Sequence, residues 1–110
     1  KWNPKEIFVT ENGCAFKDEL TGDRVHDDRR VAFLTEYLKA ARASIDEGAK
    51  LSGYFVWSFL DNFEWAFGYS KRFGITYVDY VTQQRVLKDS ALLYRDIIAA
   101  NSLEPTLAGR

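Results

Sequence analysis

The chain has 110 residues, 46% of them hydrophobic and 28% charged, with a formal net charge of -1. That balance gives no reason to expect nucleic acid or an anionic membrane as partner, and no apolar run approaches the roughly 20 residues needed to span a bilayer. One cysteine, Cys14, excludes an internal disulfide, and with one histidine, His26, it cannot complete a four-ligand zinc site unless carboxylates or another chain help.

No signal sequence is visible at the start, and the single cysteine fits a reducing compartment, so the expected location is the cytoplasm. The chain has no methionine and begins at Lys1. A translated chain normally starts with Met, and the expectation is a piece of a longer protein.

Asn3-Pro4 initiates a turn. Ile7, Phe8 and Val9 follow without polar alternation, which predicts a strand over about 6–10, buried on both faces. Asn12-Gly13 is a turn signal, so Glu11 falls at the carboxyl end of that strand. In parallel α/β architectures this is the end where ligands bind. Residues 14–26 read as a surface loop. Asp27-Asp28 offers a helix start. Val31, Leu34, Leu38, Ala41 and Ile45 recur at steps of three and four, which predicts a helix ended by Gly48. Arg29, Arg30, Glu36, Lys39 and Arg42 are read as its solvated faces, without function.

Leu51 to Leu60 is a second apolar run. Strand, helix, strand in this order predicts a βαβ unit with parallel strands. Glu11 and the Trp57–Asp61 stretch then converge on one edge of the sheet. A small hairpin is predicted from Ile75–Tyr80 and Arg85–Leu87. A last helix is capped by Asp89 or Ser90, buries Leu92, Leu93, Ile97 and Ile98, and ends near Asn101. The tail over 102–110, with Pro105 and Gly109, reads as loose surface chain. Two parallel strands cannot cover both faces of such a sheet, so the chain reads as part of a β/α barrel or open α/β sheet.

Aromatic residues make up 15% of the chain and concentrate between Tyr54 and Tyr80. Trp57, Trp65, Tyr69 and Phe73 beside Glu11 and Glu64 would be a costly surface to leave bare. Flat rings stack on apolar C–H faces, and carboxylates accept from hydroxyls. A sugar presents that mixture. The alternative is a local aromatic core beneath a long loop. Lys71 and Arg72 offer a weaker reading, attraction of a phosphorylated sugar. Cys14 has no cation close in sequence to activate it. His26, just before a helix start, reads as a surface residue.

Thr10-Glu11-Asn12-Gly13 resembles the nucleophile motif of family 1 glycoside hydrolases, the β-glucosidase family. Trp57-Ser58-Phe59-Leu60-Asp61-Asn62-Phe63-Glu64-Trp65, followed by Gly68-Tyr69-Ser70-Lys71-Arg72-Phe73-Gly74, resembles its sugar-binding loop. Tyr77-Val78-Asp79-Tyr80 and Lys88-Asp89-Ser90 fit as well. The resemblance runs from about Pro4 to Asn101 and is nearest to bacterial members.

The resemblance implies an α/β fold, a partial (β/α)₈ TIM barrel. Residues 1–101 would supply strands seven and eight with their helices. It implies a retaining β-glycosidase acting on terminal glucosyl, galactosyl or fucosyl residues. Glu11 would be the catalytic nucleophile. Trp57 would stack under the sugar, Glu64 would accept from its 4- and 6-hydroxyls, Trp65 would donate to its 3-hydroxyl, and Phe73 would form an apolar wall. Neither metal nor organic cofactor is needed. The implied partners are a β-glucoside or short β-linked oligosaccharide and the remaining barrel strands.

One departure limits this. The family's acid/base lies in an Asn-Glu-Pro motif, and none occurs here; Glu104-Pro105 follows Leu103. The chain would hold a nucleophile and half a sugar site, so the isolated chain is expected to be inactive. A non-catalytic sugar-binding module, or a fragment that completes another chain's barrel, are the rival readings.

Overall fold

The structure is a computed structural model, and residues 2–104 are described. Lys1, Pro105 and Gly109 lie outside the described residues, as does the expected tail beyond Glu104. The elements in order are β1 (Ile7–Asn12), α1 (Asp28–Asp46), β2 (Leu51–Val56), β3 (Thr76–Val78), β4 (Arg85–Leu87) and α2 (Asp89–Ala100). A single 3-10 turn, Trp65–Phe67, interrupts the long connection after β2.

β1 and β2 pair in parallel, with Ile7 opposite Leu51, Val9 opposite Tyr54 and Asn12 opposite Val56. The expected βαβ unit is therefore present. β1 runs two residues past the expected end. Its neighbour is the reason: the Asn12 carbonyl accepts from the Trp57 N–H at 2.8 Å, and the Tyr54 hydroxyl donates to the Asn12 side-chain oxygen. The turn then begins at Gly13, where a Cβ would lie 1.7 Å from the Trp57 carbonyl oxygen. Only a glycine lets the chain pass so close.

The two-faced burial expected of β1 is not met. Ile7 and Phe8 are 40% and 50% exposed. β1 and β2 form a two-stranded sheet, and among the described residues no further strand flanks them.

α1 ends as its sequence predicts. Gly48 takes φ +98°, its N–H donates to the Ile45 carbonyl, and the Ala49 N–H to that of Ser44. Of the apolar stripe only Leu34 is fully buried, packing with Ile75 and Ala91 against Phe33, Val56 and Tyr94. On α2, Ala91 and Leu93 are buried, but Ile98 is 63% exposed, contrary to expectation. Ile98 instead lines an open cavity between α1 and α2, beside Leu38, Ala41 and Ile45. Neither Asp89 nor Ser90 caps α2; Lys88 holds that position and the Ser90 hydroxyl goes elsewhere. Asn101 ends the helix in the left-handed region.

The hairpin forms with Thr76 opposite Leu87 and Val78 opposite Arg85. Its first strand is shorter than expected. The Asp79 carboxylate accepts from the N–H groups of Val81 and Thr82 and turns the chain there.

The largest correction concerns Arg30, read from sequence as a solvated cation. It is 1% exposed. Its guanidinium grips Asp18 with two bonds of 3.1 and 2.8 Å, and also binds Asp27 at 2.6 Å and the Arg72 carbonyl at 2.8 Å. Burial works to discharge Arg30, but hydrogen bonds and charge from Asp18 and Asp27 more than offset it, and its pKa rises. The connection over 14–26 is correspondingly not a simple surface loop. It carries Asp18 inward, and Val25, 1% exposed, bridges to Lys88.

Candidate active site

β1 delivers Glu11 to the sheet edge at which β2 delivers Trp57. Glu11 is exposed, and among the described residues its carboxylate makes no hydrogen bond or ion pair. The Trp57–Ser58 peptide bond is cis. Beyond it, residues 58–61 run beside 73–76. The Ser58 N–H donates to the Phe73 carbonyl at 3.1 Å, that of Ile75 to Ser58 at 2.8 Å, and that of Asp61 to Thr76 at 3.0 Å. Phe73 is thereby held next to Trp57, and the loop between is closed at its base. Gly74 permits this contact: a Cβ there would lie 2.1 Å from the Asp61 nitrogen.

The loop tip is built on short-range bonds. The Glu64 N–H donates to the Gly68 carbonyl at 2.7 Å, and the Phe67 N–H to the Glu64 carbonyl at 2.8 Å. Trp65 has φ +44°, and Gly68 has φ +55° with ψ -129°, a region open to little but glycine. Trp65 is 83% exposed; Glu64 and Phe73 are half-buried. Phe59, Phe63 and Phe67 are also exposed. The sequence-predicted site residues thus lie on one strand edge and its adjoining loop. Tyr69 instead packs against Phe63 and Tyr80, with ring centroids at 5.5 and 4.5 Å.

Beneath the loop lies a group that sequence reasoning missed. Asp61 is buried, and its carboxylate accepts from Arg72 at 2.5 Å, Lys88 at 2.8 Å, and the N–H groups of Gly74 and Val78 at 3.0 and 3.3 Å. Lys88, fully buried, also binds Asp18 at 2.5 Å. Asp27, Arg30, Asp18, Lys88, Asp61 and Arg72 form an alternating buried chain of charge. Ser90 adds its hydroxyl and N–H to Asp27 at 2.5 and 2.9 Å. Asp61, Arg72 and Lys88 lie in the motifs quoted above, but nothing local to them marks them as members of a buried ion-pair network. The faint signal was Lys88 between the apolar Leu87 and the start of α2.

Arg72 is consequently not free to attract a phosphate. It is paired with Asp61 and stacked 4.1 Å from the Tyr77 ring centroid and 4.7 Å from that of Tyr80. His26 is exposed, with Nδ1 2.7 Å from Asp89, which agrees with a surface role. Among the described residues no group of three or more His, Cys, Asp or Glu side chains is placed to hold a metal ion. No helix among them is long and apolar enough to cross a membrane.

Burial, opposed by Arg30, pushes the Cys14 thiol up to about 11. At neutral pH about one thiol in ten thousand is then ionised. Alkylation of Cys14 by iodoacetamide should be very slow at pH 7 and rise about tenfold per pH unit toward pH 11. A fast reaction at pH 7 would contradict the burial.

A parallel βαβ edge carrying Glu11, with a long aromatic loop after β2, defines a segment of an α/β protein. The sequence profile of Glycosyl hydrolase family 1 matches residues 1–103, and the chain belongs to that family. It is 54% identical over 105 residues to Beta-glucosidase A of Thermotoga maritima, covering 94% of this chain and 24% of that protein. It is 54% identical over 101 residues to the Bifunctional beta-D-glucosidase/beta-D-fucosidase of Bifidobacterium breve, covering 87% of this chain and 22% of that one. The solved family 1 β-glucosidase from Thermotoga maritima in complex with isofagomine lactam superposes with a TM-score of 0.92 at 54% identity, over 94% of this chain and 24% of that chain. The chain therefore spans about a quarter of the length of these relatives, and its fold is a partial piece of the (β/α)₈ barrel of the family.

Proposed function

We propose that this chain forms the last two β/α units of a retaining β-glycosidase that removes terminal glucosyl, galactosyl or fucosyl residues. One observation carries this reading: Glu11 and Trp57 emerge side by side at the ends of hydrogen-bonded parallel strands, and the base of the Glu64–Phe73 loop is closed beside Trp57. The names of the relatives, β-glucosidases and a β-glucosidase/β-fucosidase, support the substrate class.

In this mechanism Glu11 attacks the anomeric carbon. A covalent glycosyl–enzyme forms as the bond to the leaving-group oxygen breaks, and an acid outside this chain protonates that oxygen. Water, deprotonated by the same group, then displaces Glu11. Trp57 stacks on the sugar face, Glu64 accepts from the 4- and 6-hydroxyls, Trp65 donates its indole N–H to the 3-hydroxyl, and Phe73 walls the subsite. The two carboxyl groups of a retaining pair stand about 5–5.5 Å apart. Glu11 thus needs its counterpart from the remaining strands, along with donors that keep it ionised.

The chain by itself does not hydrolyse aryl β-glucosides in this reading. Mixing it with the remaining barrel strands, supplied as a second chain, restores turnover. Release of p-nitrophenol from p-nitrophenyl β-glucoside by the chain alone, by the mixture, and by a mixture made with Glu11→Gln is the test. Turnover by the pure chain that disappears in Glu11→Gln would overturn the split site. Sugar binding by the chain with no turnover in the mixture would favour a non-catalytic module.

A further inference from the structure

Asn62 lies between a buried serine and the loop carboxylate. Its Nδ2 is 3.2 Å from Glu64 Oε2 and 3.1 Å from the Phe63 carbonyl oxygen, and its Oδ1 is 3.0 Å from Ser58 Oγ. Chemistry determines which way the amide faces. A carbonyl and a carboxylate on one side need the two N–H donors; a flipped amide would set its oxygen against both. The Ser58 hydroxyl shares its proton between Asn62 and the Leu60 carbonyl, 2.6 Å away.

Ser58 is itself buried, with its N–H and C=O both bonded into residues 73–75. Asn62 is therefore anchored on the closed base of the loop. Glu64 sits on the tip, beside a tryptophan that is largely bare. Among the described residues the Glu64 carboxylate has this one side-chain partner, and it is engaged through Oε2. Oε1 is left to accept from elsewhere.

We propose that Asn62 is a positioning residue that determines glycone specificity. It holds Glu64 by Oε2 so that the carboxylate meets the primary hydroxyl of the sugar. This rests on Glu64 being the acceptor for that hydroxyl. A wandering Glu64 would lose the ordered acceptor, and the penalty falls most heavily on sugars that carry the 6-hydroxyl as well as the 4-hydroxyl.

The test is made in the full-length barrel carrying this segment, with p-nitrophenyl β-glucoside and its 6-deoxy counterpart. Asn62→Ala should lower kcat/KM on the glucoside about tenfold, mostly through KM, and on the 6-deoxy sugar about threefold, because the 4-hydroxyl contact to Glu64 is still present there. Asn62→Asp keeps the shape but sets a second carboxylate against Glu64. With both ionised they repel; when the pH falls and the pair holds one proton, an O–H···O bond restores the link. The ratio of Asn62→Asp to unmodified kcat/KM on the glucoside should therefore rise as the pH falls, a change that a purely structural residue would not give. Glu64→Gln is the reference. If Glu64→Gln discriminates between the two sugars while Asn62→Ala weakens both equally or neither, the role of Asn62 is overturned and that of Glu64 stands. If Glu64→Gln shows no discrimination, the reading of Glu64 fails and the role of Asn62 falls with it.

Discussion

In the complete barrel, Glu11→Gly should abolish hydrolysis of aryl β-glucosides, with a loss on the order of 10⁴-fold or more. Within this segment the substitution removes no contact of the Glu11 side chain. Glu11 is exposed and makes no hydrogen bond or ion pair among the described residues. Its strand is held instead by Asn12, through the Trp57 N–H and the Tyr54 hydroxyl. Because glycine carries its own backbone cost in a strand, Glu11→Gln is the matched control, keeping the side-chain shape while removing the carboxylate. The space vacated in Glu11→Gly admits a small anion. Added azide should attack the anomeric carbon from the face that Glu11 occupied, expel an activated phenolate, and leave an α-glucosyl azide. Detecting that product by NMR assigns the nucleophile by stereochemistry. Retained turnover in both variants would remove Glu11 from the mechanism.

The second large effect belongs to a residue that touches no substrate. Lys88→Met should destabilise the barrel by about 3–5 kcal/mol, the range for breaking a buried ion pair by removing one partner. Lys88 is fully buried and is the cation shared between Asp18 and Asp61. Without it both carboxylates stay buried with one counter-charge fewer. Lys71→Met, on an exposed side chain of the same loop, should change stability by no more than about 0.5 kcal/mol. The urea midpoint of each variant measures the difference, and equal midpoints would refute the importance of the network. Asp61 also ties Gly74 and Val78 to the base of the loop. Lys88→Met should thus weaken sugar binding without altering any group that contacts the sugar.

The two residues differ in how far sequence could reach them. The position of Glu11 near the carboxyl end of β1 was legible because its setting is local: an apolar run, a carboxylate, then Asn-Gly. The helix over Asp28–Asp46 and its Gly48 stop were legible through period and chain reversal. The exact end of β1 was not, since its neighbour β2 and the Trp57 N–H just beyond it carried the pairing on to Asn12. Arg30 was misread because a charged residue on a helix is normally solvated. Its burial depends on Asp18, twelve positions earlier, and on the carbonyl of Arg72.

By itself the sequence determined the parallel βαβ unit, the meeting of Glu11 with the Trp57 loop, and the family, because each rests on a pattern within a few residues or on a motif of fixed spacing. Only the tertiary structure decided that six charged side chains from Asp18 to Lys88 form one buried network, and that Asn62 faces Glu64. A charge leaves water only when partners from distant parts of the chain arrive to compensate it, and no local pattern records those partners.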